Sequence, residues 1–219
     1  FREGKRFLEL NGVKKKSASQ IVGTFCAVIF SPEHLSLVKG GPSLRRQFLD
    51  SALCQCRPAF AGILSRYNRT VFQRNALLKD IPRHREVLDT LEIWDLRLSQ
   101  LGEEITRQRR EYLEVFSPLA QQYYAGISGG REKLSFSYSP GYTGSLFENL
   151  VQLQREDIRF GHTGAGPHRG DLEILLDGSP ARAFGSQGQQ RSAVLAMKLA
   201  EAEMLCRFLG EEPVILLDD

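Results

Sequence analysis

Gly185-Ser186-Gln187-Gly188-Gln189-Gln190-Arg191 opens the last stretch of the chain, and Val214-Ile215-Leu216-Leu217-Asp218-Asp219 closes it. A serine directly before a helical run is a good N-cap, because its hydroxyl accepts from a free backbone N–H. Gly188 carries no Cβ, so another group can come close to the backbone. First-turn N–H groups and the helix dipole together suit an anion such as phosphate. Ala193, Ala196, Met197, Ala200 and Met204 give the helix a small-residue face. The apolar strand Val214 to Leu217 then carries two carboxylates out of the C-terminal edge of a sheet, where α/β proteins bind ligands. Magnesium takes a few carboxylates and keeps several waters, which suits Asp218. Asp219 is placed to orient or deprotonate an attacking water. Each half also has a plain structural reading: an ordinary helix cap, and a buried strand closed by a polar turn.

Outward from these segments, the ends of the chain read as β and the middle as helix. Arg6 to Leu10 and Val13 to Ser17 flank Asn11-Gly12, a strong hairpin turn. Ile21 to Phe30 is an apolar run suited to a buried strand, ending at Ser31-Pro32-Glu33. A helix after Ser43 places Leu44, Phe48, Leu49, Ala52, Leu53 and Cys56 on one face. A second starts at Pro58, with Phe60, Ile63, Leu64, Tyr67 and Val71 on one side. Leu91, Trp94, Leu98, Leu101, Ile105, Gln108, Tyr112 and Val115 follow steps of three and four, a heptad seam interrupted at Gln108. Ser117-Pro118 marks a kink or a restart, and Gly126 to Gly130 a linker. Leu134 to Tyr138 reads as a strand, Gly144 to Gln154 as a helix, and Leu172 to Leu176 as a strand closed by Asp177-Gly178. A second short strand is expected over Pro180 to Phe184. The expected architecture is α/β with a helical insertion: a split domain, 1–42 with 127–219, and a lobe or arm, 43–126.

The bulk numbers exclude several classes. Hydrophobic residues make up 42% and charged residues 25%, as in ordinary globular chains. No apolar run approaches the roughly 18 residues a membrane span needs, and the first residues have no secretory h-region. Four scattered cysteines, with Cys54 and Cys56 diverging on a helix, suit reduced thiols in a cytoplasmic protein. A net charge of +3 is too small to imply a nucleic-acid partner, but its distribution is uneven. Residues 43–85 hold nine Arg/Lys and two Asp, while 86–114 hold eight acids and four Arg. Two solvated helix faces that attract each other explain this as well as a polyanion site does. Arg66, Arg69 and Arg74, with Tyr67 between them, are the candidates for phosphate contact and base stacking. Gly161-His162-Thr163-Gly164-Ala165-Gly166-Pro167-His168-Arg169-Gly170-Asp171 resembles a phosphate loop only superficially. It lacks Gly-Lys-Ser/Thr and precedes a strand, so it is no Walker A loop, and no other segment fits.

Taken in order, Phe30-Ser31-Pro32-Glu33, Arg45-Arg46-Gln47-Phe48-Leu49-Asp50, Arg66-Tyr67-Asn68-Arg69, Gln73-Arg74-Asn75-Ala76-Leu77-Leu78-Lys79, Gly166-Pro167-His168-Arg169, the Ser186 segment and Leu216-Leu217-Asp218-Asp219 resemble the RecF family. These are bacterial recombination mediators of the ABC/SMC-type ATPase superfamily. The resemblance spans nearly the whole chain. It implies a partial ABC/SMC-type ATPase head that carries an inserted helical lobe, uses ATP and Mg2+, and dimerises around the nucleotide. It also implies binding of DNA at gaps or single-/double-strand junctions, RecO- and RecR-like partners, a cytoplasmic location and a place in DNA replication, repair, recombination and the SOS response. Ser186, Gly188 and Gln189 match the ABC signature, which reaches a partner's γ-phosphate, and Asp218 matches the Walker B aspartate. Asp219 stands where most ABC proteins carry the catalytic Glu, one methylene shorter, so fast turnover is not expected. Gly185 replaces the superfamily's Leu, Gln187 its Gly, and no Gln stands at the Q-loop turn. The family's Walker A loop would lie before Phe1, and its D-loop and switch histidine after Asp219. The chain is therefore expected to be a central piece, inactive in ATP hydrolysis alone. The alternative is a non-catalytic DNA- or partner-binding module built on the helical lobe. Roles for His168 and Arg169 toward nucleotide, DNA or the interior stay open.

Overall fold

The computed structural model describes residues 8–15, 26–210 and 212–218. Its elements run β1 (Glu9–Leu10), β2 (Val13–Lys14), β3 (Ala27–Phe30), a 3-10 turn (Pro32–Leu35), α1 (Ser36–Lys39), α2 (Pro42–Cys56) and α3 (Pro58–Asp80). A second 3-10 turn (Arg85–Thr90) leads to α4 (Leu91–Ser128), followed by β4 (Leu134–Ser139), α5 (Leu146–Gln152) and α6 (Gln154–Phe160). The chain ends with β5 (Asp171–Leu176), β6 (Ser179–Pro180), α7 (Ala181–Phe184), α8 (Gln187–Leu209) and β7 (Val214–Leu217). β1 and β2 form the expected hairpin, with positive φ at both Asn11 and Gly12 as a primed turn requires. The outer parts of those two expected strands, and residues 21–25 of the next, lie outside the described residues.

β3 and β7 pair in parallel, with Val28 opposite Ile215 and Phe30 opposite Leu217. β4, β5 and β6 form a separate antiparallel sheet. The long helix α4 is the spine between them, packing on α8, α3, α2, α5 and β4. Its buried stripe keeps the expected heptad column Leu91, Leu98, Ile105 and Tyr112, but the second column lies one residue later than expected. Leu91, Asp95, Leu98, Gly102, Ile105, Arg109, Tyr112, Phe116 and Ala120 are buried, while Val115 faces out at 40% exposure. The offset is present from the first turn: Asp95 and Arg109 are drawn inward by their ion pairs and Gly102 by close packing on Leu146, Tyr67 and Pro167, so Trp94 and Leu101 sit at the edge of the stripe. Phe116 centres an aromatic cluster, 5.7 Å from Phe48, 5.4 Å from Tyr112 and 5.5 Å from Phe136. One continuous core joins these helices to both sheets, and a smaller cluster of Leu78, Ile81 and Leu91 closes the far end of α3.

Three local expectations are corrected. α4 runs through Pro118 without a break; the proline sits on the exposed side, where water can satisfy the carbonyl it leaves unpaired. It also runs through Gly126, ending only at Gly129, whose φ of 68° forms the left-handed cap. The expected strand Pro180 to Phe184 is a strand only at its first residue. Ala181 to Phe184 forms a helical turn, because Ala and Arg favour helix and the buried Ala181 carbonyl accepts from Gln190 Nε2 at 2.9 Å.

Candidate functional site

α8 begins with a complete capping box. Gln189 N–H donates to Ser186 Oγ at 3.3 Å, and Ser186 N–H donates to Gln189 Oε1 at 2.6 Å. The other end of the Gln189 amide donates to Glu132 at 2.6 Å, and Tyr124 donates to the same carboxylate at 2.7 Å. Of the three candidates here, Ser186 and Gln189 are thus occupied in holding the turn. Gly188 is exposed, and a Cβ built on it would meet nothing within 4 Å, so the surface beside it at the first turn of α8 is open. Behind the turn, Ala193, Ala196, Met197, Ala200 and Met204 are fully buried against the core.

Asp218 follows β7, and its N–H extends the parallel ladder to Phe30 O at 2.8 Å. It borders two clefts. One, of about 510 Å³, lies between the β3 turn and α8 and is lined by Phe30, His34, Arg191, Val194 and Lys198. The other, of about 580 Å³, reaches down α2 past Gln47 and Gln55 to Glu201. Lys198 and Glu201 are a buried pair at their junction, and Lys198 also lies 5.8 Å from the Phe48 ring. Burial raises the Glu201 carboxyl, with Lys198 working against that shift. His34 Nδ1 accepts from Ser31 N–H at 3.1 Å; burial, then the nearby Lys198, pushes its pKa down. Ser186, Gly188 and Gln189 do not line these clefts, and Asp219 lies outside the described residues. No cluster of three or more potential metal ligands occurs among the described residues. Asp218 therefore offers one carboxylate, which fits magnesium only if water and nucleotide phosphate complete its shell.

The loop 161–171, whose function the sequence left open, is clasped inside the protein. Arg109 makes a two-pronged bond to Asp50, both prongs at 2.9 Å, and donates to Pro167 O at 2.8 Å. Arg45 grips Asp171 in the same way at 2.8 and 2.9 Å, and Arg46 donates to Gly170 O at 2.8 Å. Gly166 has a φ of 129°, and a Cβ there would stand 2.5 Å from Tyr67 Oη, so only glycine fits. Thr163 O can only accept, so the 3.2 Å contact places a proton on His168 Nε2. Nδ1 then accepts the 2.6 Å hydrogen bond from Tyr67 Oη. Burial drives His168 down to about 4, which keeps it neutral near pH 7. His168 is an interior strut. Arg169 spans Thr163 O and His162 at the loop's surface.

Arg74 requires a correction. It is fully buried, donating to Asp95 and Asp157, each at 2.6 Å, and to Thr163 Oγ1 at 3.0 Å. Asn75 completes the network by accepting from Thr163 N–H and Oγ1, both at 2.7 Å. Its guanidinium faces these groups rather than solvent, so Arg74 is withdrawn as a DNA contact. Arg66 and Arg69 stay exposed on the outer side of α3. The clasp had one legible signal, since Asp95 and Arg109 fall in the buried phase of the α4 stripe. None of the four cysteines is in a disulfide; burial raises Cys54 to about 11 and Cys56 to about 12, leaving those two thiols inert. No helix among the described residues is long and apolar enough to cross a membrane.

No family model matches the sequence. The chain is 39% identical over 219 residues to the DNA replication and repair protein RecF of Agathobacter rectalis, covering 100% of this chain and 60% of that protein. Among solved structures, the recombination mediator RecF-ATPrS in the RecFOR pathway superposes with a TM-score of 0.92 at 37% identity, over 99% of this chain and 61% of that one. The RecF-ATP structure in the same pathway also gives 0.92, at 38% identity over 99% and 60%. The fold is thereby that of the ABC/SMC-type ATPase head with its inserted helices, and the chain spans about three fifths of the length of the relatives it matches.

Proposed function

The chain belongs to the RecF family, and from that premise we propose that it forms the signature and Walker B part of an ATP-dependent, DNA-binding recombination mediator acting in single-strand gap repair. The observation that carries this reading is the open surface before Gly188, backed by a capping box that spends Ser186 and Gln189 on rigidity. A helix end of this kind offers free N–H groups and a positive dipole end to a phosphate held by a second subunit, the role the family's signature segment implies. ATP and Mg2+ are the proposed ligands; the ion would neutralise phosphate charge and polarise the transferred group. Asp218 would hold the ion through water, Asp219 would orient the attacking water, and Gly188 would let a γ-phosphate approach the helix end. The proposed working units are the head, 1–42 with 127–219, and the lobe, 43–126. The remaining proposals are an ATP-dependent homodimer, RecO- and RecR-like partners, and a cytoplasmic setting.

The 219 residues contain no Gly-x-x-x-x-Gly-Lys-Ser/Thr, so the chain alone is predicted not to turn over ATP. Mixed with an intact RecF-family protein, it should associate when ATP and Mg2+ are present, and Gly188→Asp should abolish that association by placing a carboxylate before the phosphate. Steady hydrolysis by the pure chain, or association equal with and without nucleotide, would reject this reading. The second reading, a binding module on the helical lobe, is favoured by exposed Arg66 and Arg69, which have no acidic partner among the described residues.

A further inference from the structure

α3 and α4 pack side by side, and Trp94, the chain's one tryptophan, stands half-buried between two clefts on their outer surface. The first, of about 380 Å³, is lined by Arg66, Arg69, Thr70, Gln73 and Arg97 with Trp94. The second, of about 560 Å³, continues past Trp94 to Lys79 and Arg83, with Asp80 its one acid. Of the other surface arginines, Arg57, Arg107 and Arg207 each meet a glutamate, whereas Arg110, Arg155, Arg182 and Arg191 form no ion pair among the described residues but line neither of these two clefts. Arg66, Arg69 and Arg97 likewise meet no acid among the described residues, although the chain as a whole carries 26 acids. Three unneutralised guanidinium groups around one indole repel each other, and a polyanion relieves that repulsion. The buried Arg74–Asp95 bond fixes the two helices directly beneath, so the cleft is preformed.

We propose that these clefts are a track for single-stranded nucleic acid. An unpaired base stacks on the Trp94 indole, phosphates lie against Arg66, Arg69 and Arg97 on one side, and Lys79 and Arg83 continue the path on the other. The strand form follows from the geometry. An indole face inside a cleft can stack only on a base whose own face is free, and in a duplex the neighbouring pairs cover those faces. This inference rests on the DNA-binding reading above and adds the strand form and the stacking residue.

Because Trp94 is unique, its emission reports on this cleft alone. Titrating the full chain with a short oligothymidylate at low salt should quench that emission. Trp94→Leu should weaken binding by about 5- to 100-fold, and Trp94→Phe, which retains an aromatic face, should recover part of the loss. Arg66→Ala combined with Arg69→Ala should lower the slope of log affinity against log salt by about 1.4. Binding with unchanged emission, or wild-type affinity in Trp94→Leu, overturns the stacking track while leaving DNA binding by the chain intact. Equal quenching by a blunt duplex overturns the strand form, and equal quenching by polyglutamate overturns the nucleic-acid assignment. No affinity for any DNA overturns this inference and the reading beneath it together.

Discussion

Two glycine-bearing polar segments of this chain looked alike as sequence and are opposite as structure. In the loop 161–171, nearly every group capable of bonding is spent inside. Thr163 is bonded through its N–H, carbonyl and hydroxyl, His168 through both ring nitrogens, and the Pro167 and Gly170 carbonyls to arginines from the helices. In the turn 185–191, Ser186 and Gln189 bond each other and the space before Gly188 is empty. A ligand site is marked by donors held rigid yet unspent, and glycine alone does not distinguish the cases. Gly166 is required because Tyr67 approaches the backbone from within, whereas Gly188 leaves room on the outside.

The sharpest way to break this contrast is to remove the cation beneath the loop. Arg74→Met leaves Asp95 and Asp157 buried with no positive partner, and burial already raises the Asp95 carboxyl despite Arg74. Losing one partner of a buried pair costs about 3–5 kcal/mol, so the urea midpoint should fall steeply. The Thr163 and Gly164 amides should exchange hydrogen faster than the rest of the core, because Thr163 loses a partner and Asp157, which accepts from Gly164 N–H at 2.9 Å, loses its anchor. A variant less than 1 kcal/mol weaker than the parent would show that the clasp is ornamental.

His168 sharpens the same contrast through pH. Its folded value of about 4 lies below the ordinary 6.5, because burial disfavours the imidazolium. Between these values the unfolded chain binds the proton and the folded chain does not. The His168 contribution is therefore complete above about pH 6.5 and is lost as pH falls toward 4, by at most about 3 kcal/mol. His168→Gln cannot take up that proton. The stability difference between parent and variant, measured by denaturation from pH 7 to 4, should shift in the variant's favour as pH falls. Asp50, Asp95 and Glu201, whose carboxyls burial raises, titrate in both proteins and cancel to first order. A constant difference across the range would mean that His168 is solvated.

Much of the fold was legible because it rests on local chemistry. Asn11-Gly12 dictates its hairpin, Ser31-Pro32 its helical turn, and the Ala/Met face of α8 its burial. The second column of the α4 seam was not, since Trp94 and Leu101 are more apolar than Asp95 and Gly102, and only partners from distant segments draw the latter inside. Arg74 was misread because a basic residue on an amphipathic helix is usually solvated, and its two aspartates come from 21 and 83 residues away. The clasp around Pro167 joins residues from α2, α3 and α4, a convergence that no spacing within one segment displays. Ser186 and Gln189 could be read as a helix start because a capping box is written within four consecutive residues. What opens before Gly188 could not, as it depends on which distant groups stay away.

The finest test separates the two jobs of that helix start. Ser186→Ala removes the acceptor for Gln189 N–H and should cost about 1 kcal/mol, visible as a small drop in melting temperature. Gly188→Ala should do the reverse. Its Cβ meets nothing in the chain, and alanine prefers helix over glycine by up to about 1 kcal/mol, so the melting temperature should rise slightly. The same methyl group projects into the space proposed for a γ-phosphate, so nucleotide-dependent association should weaken while stability improves. Opposite signs for stability and association at one residue are what a site open to a second molecule requires. If Gly188→Ala leaves association intact, the opening is only the exposed side of an ordinary cap.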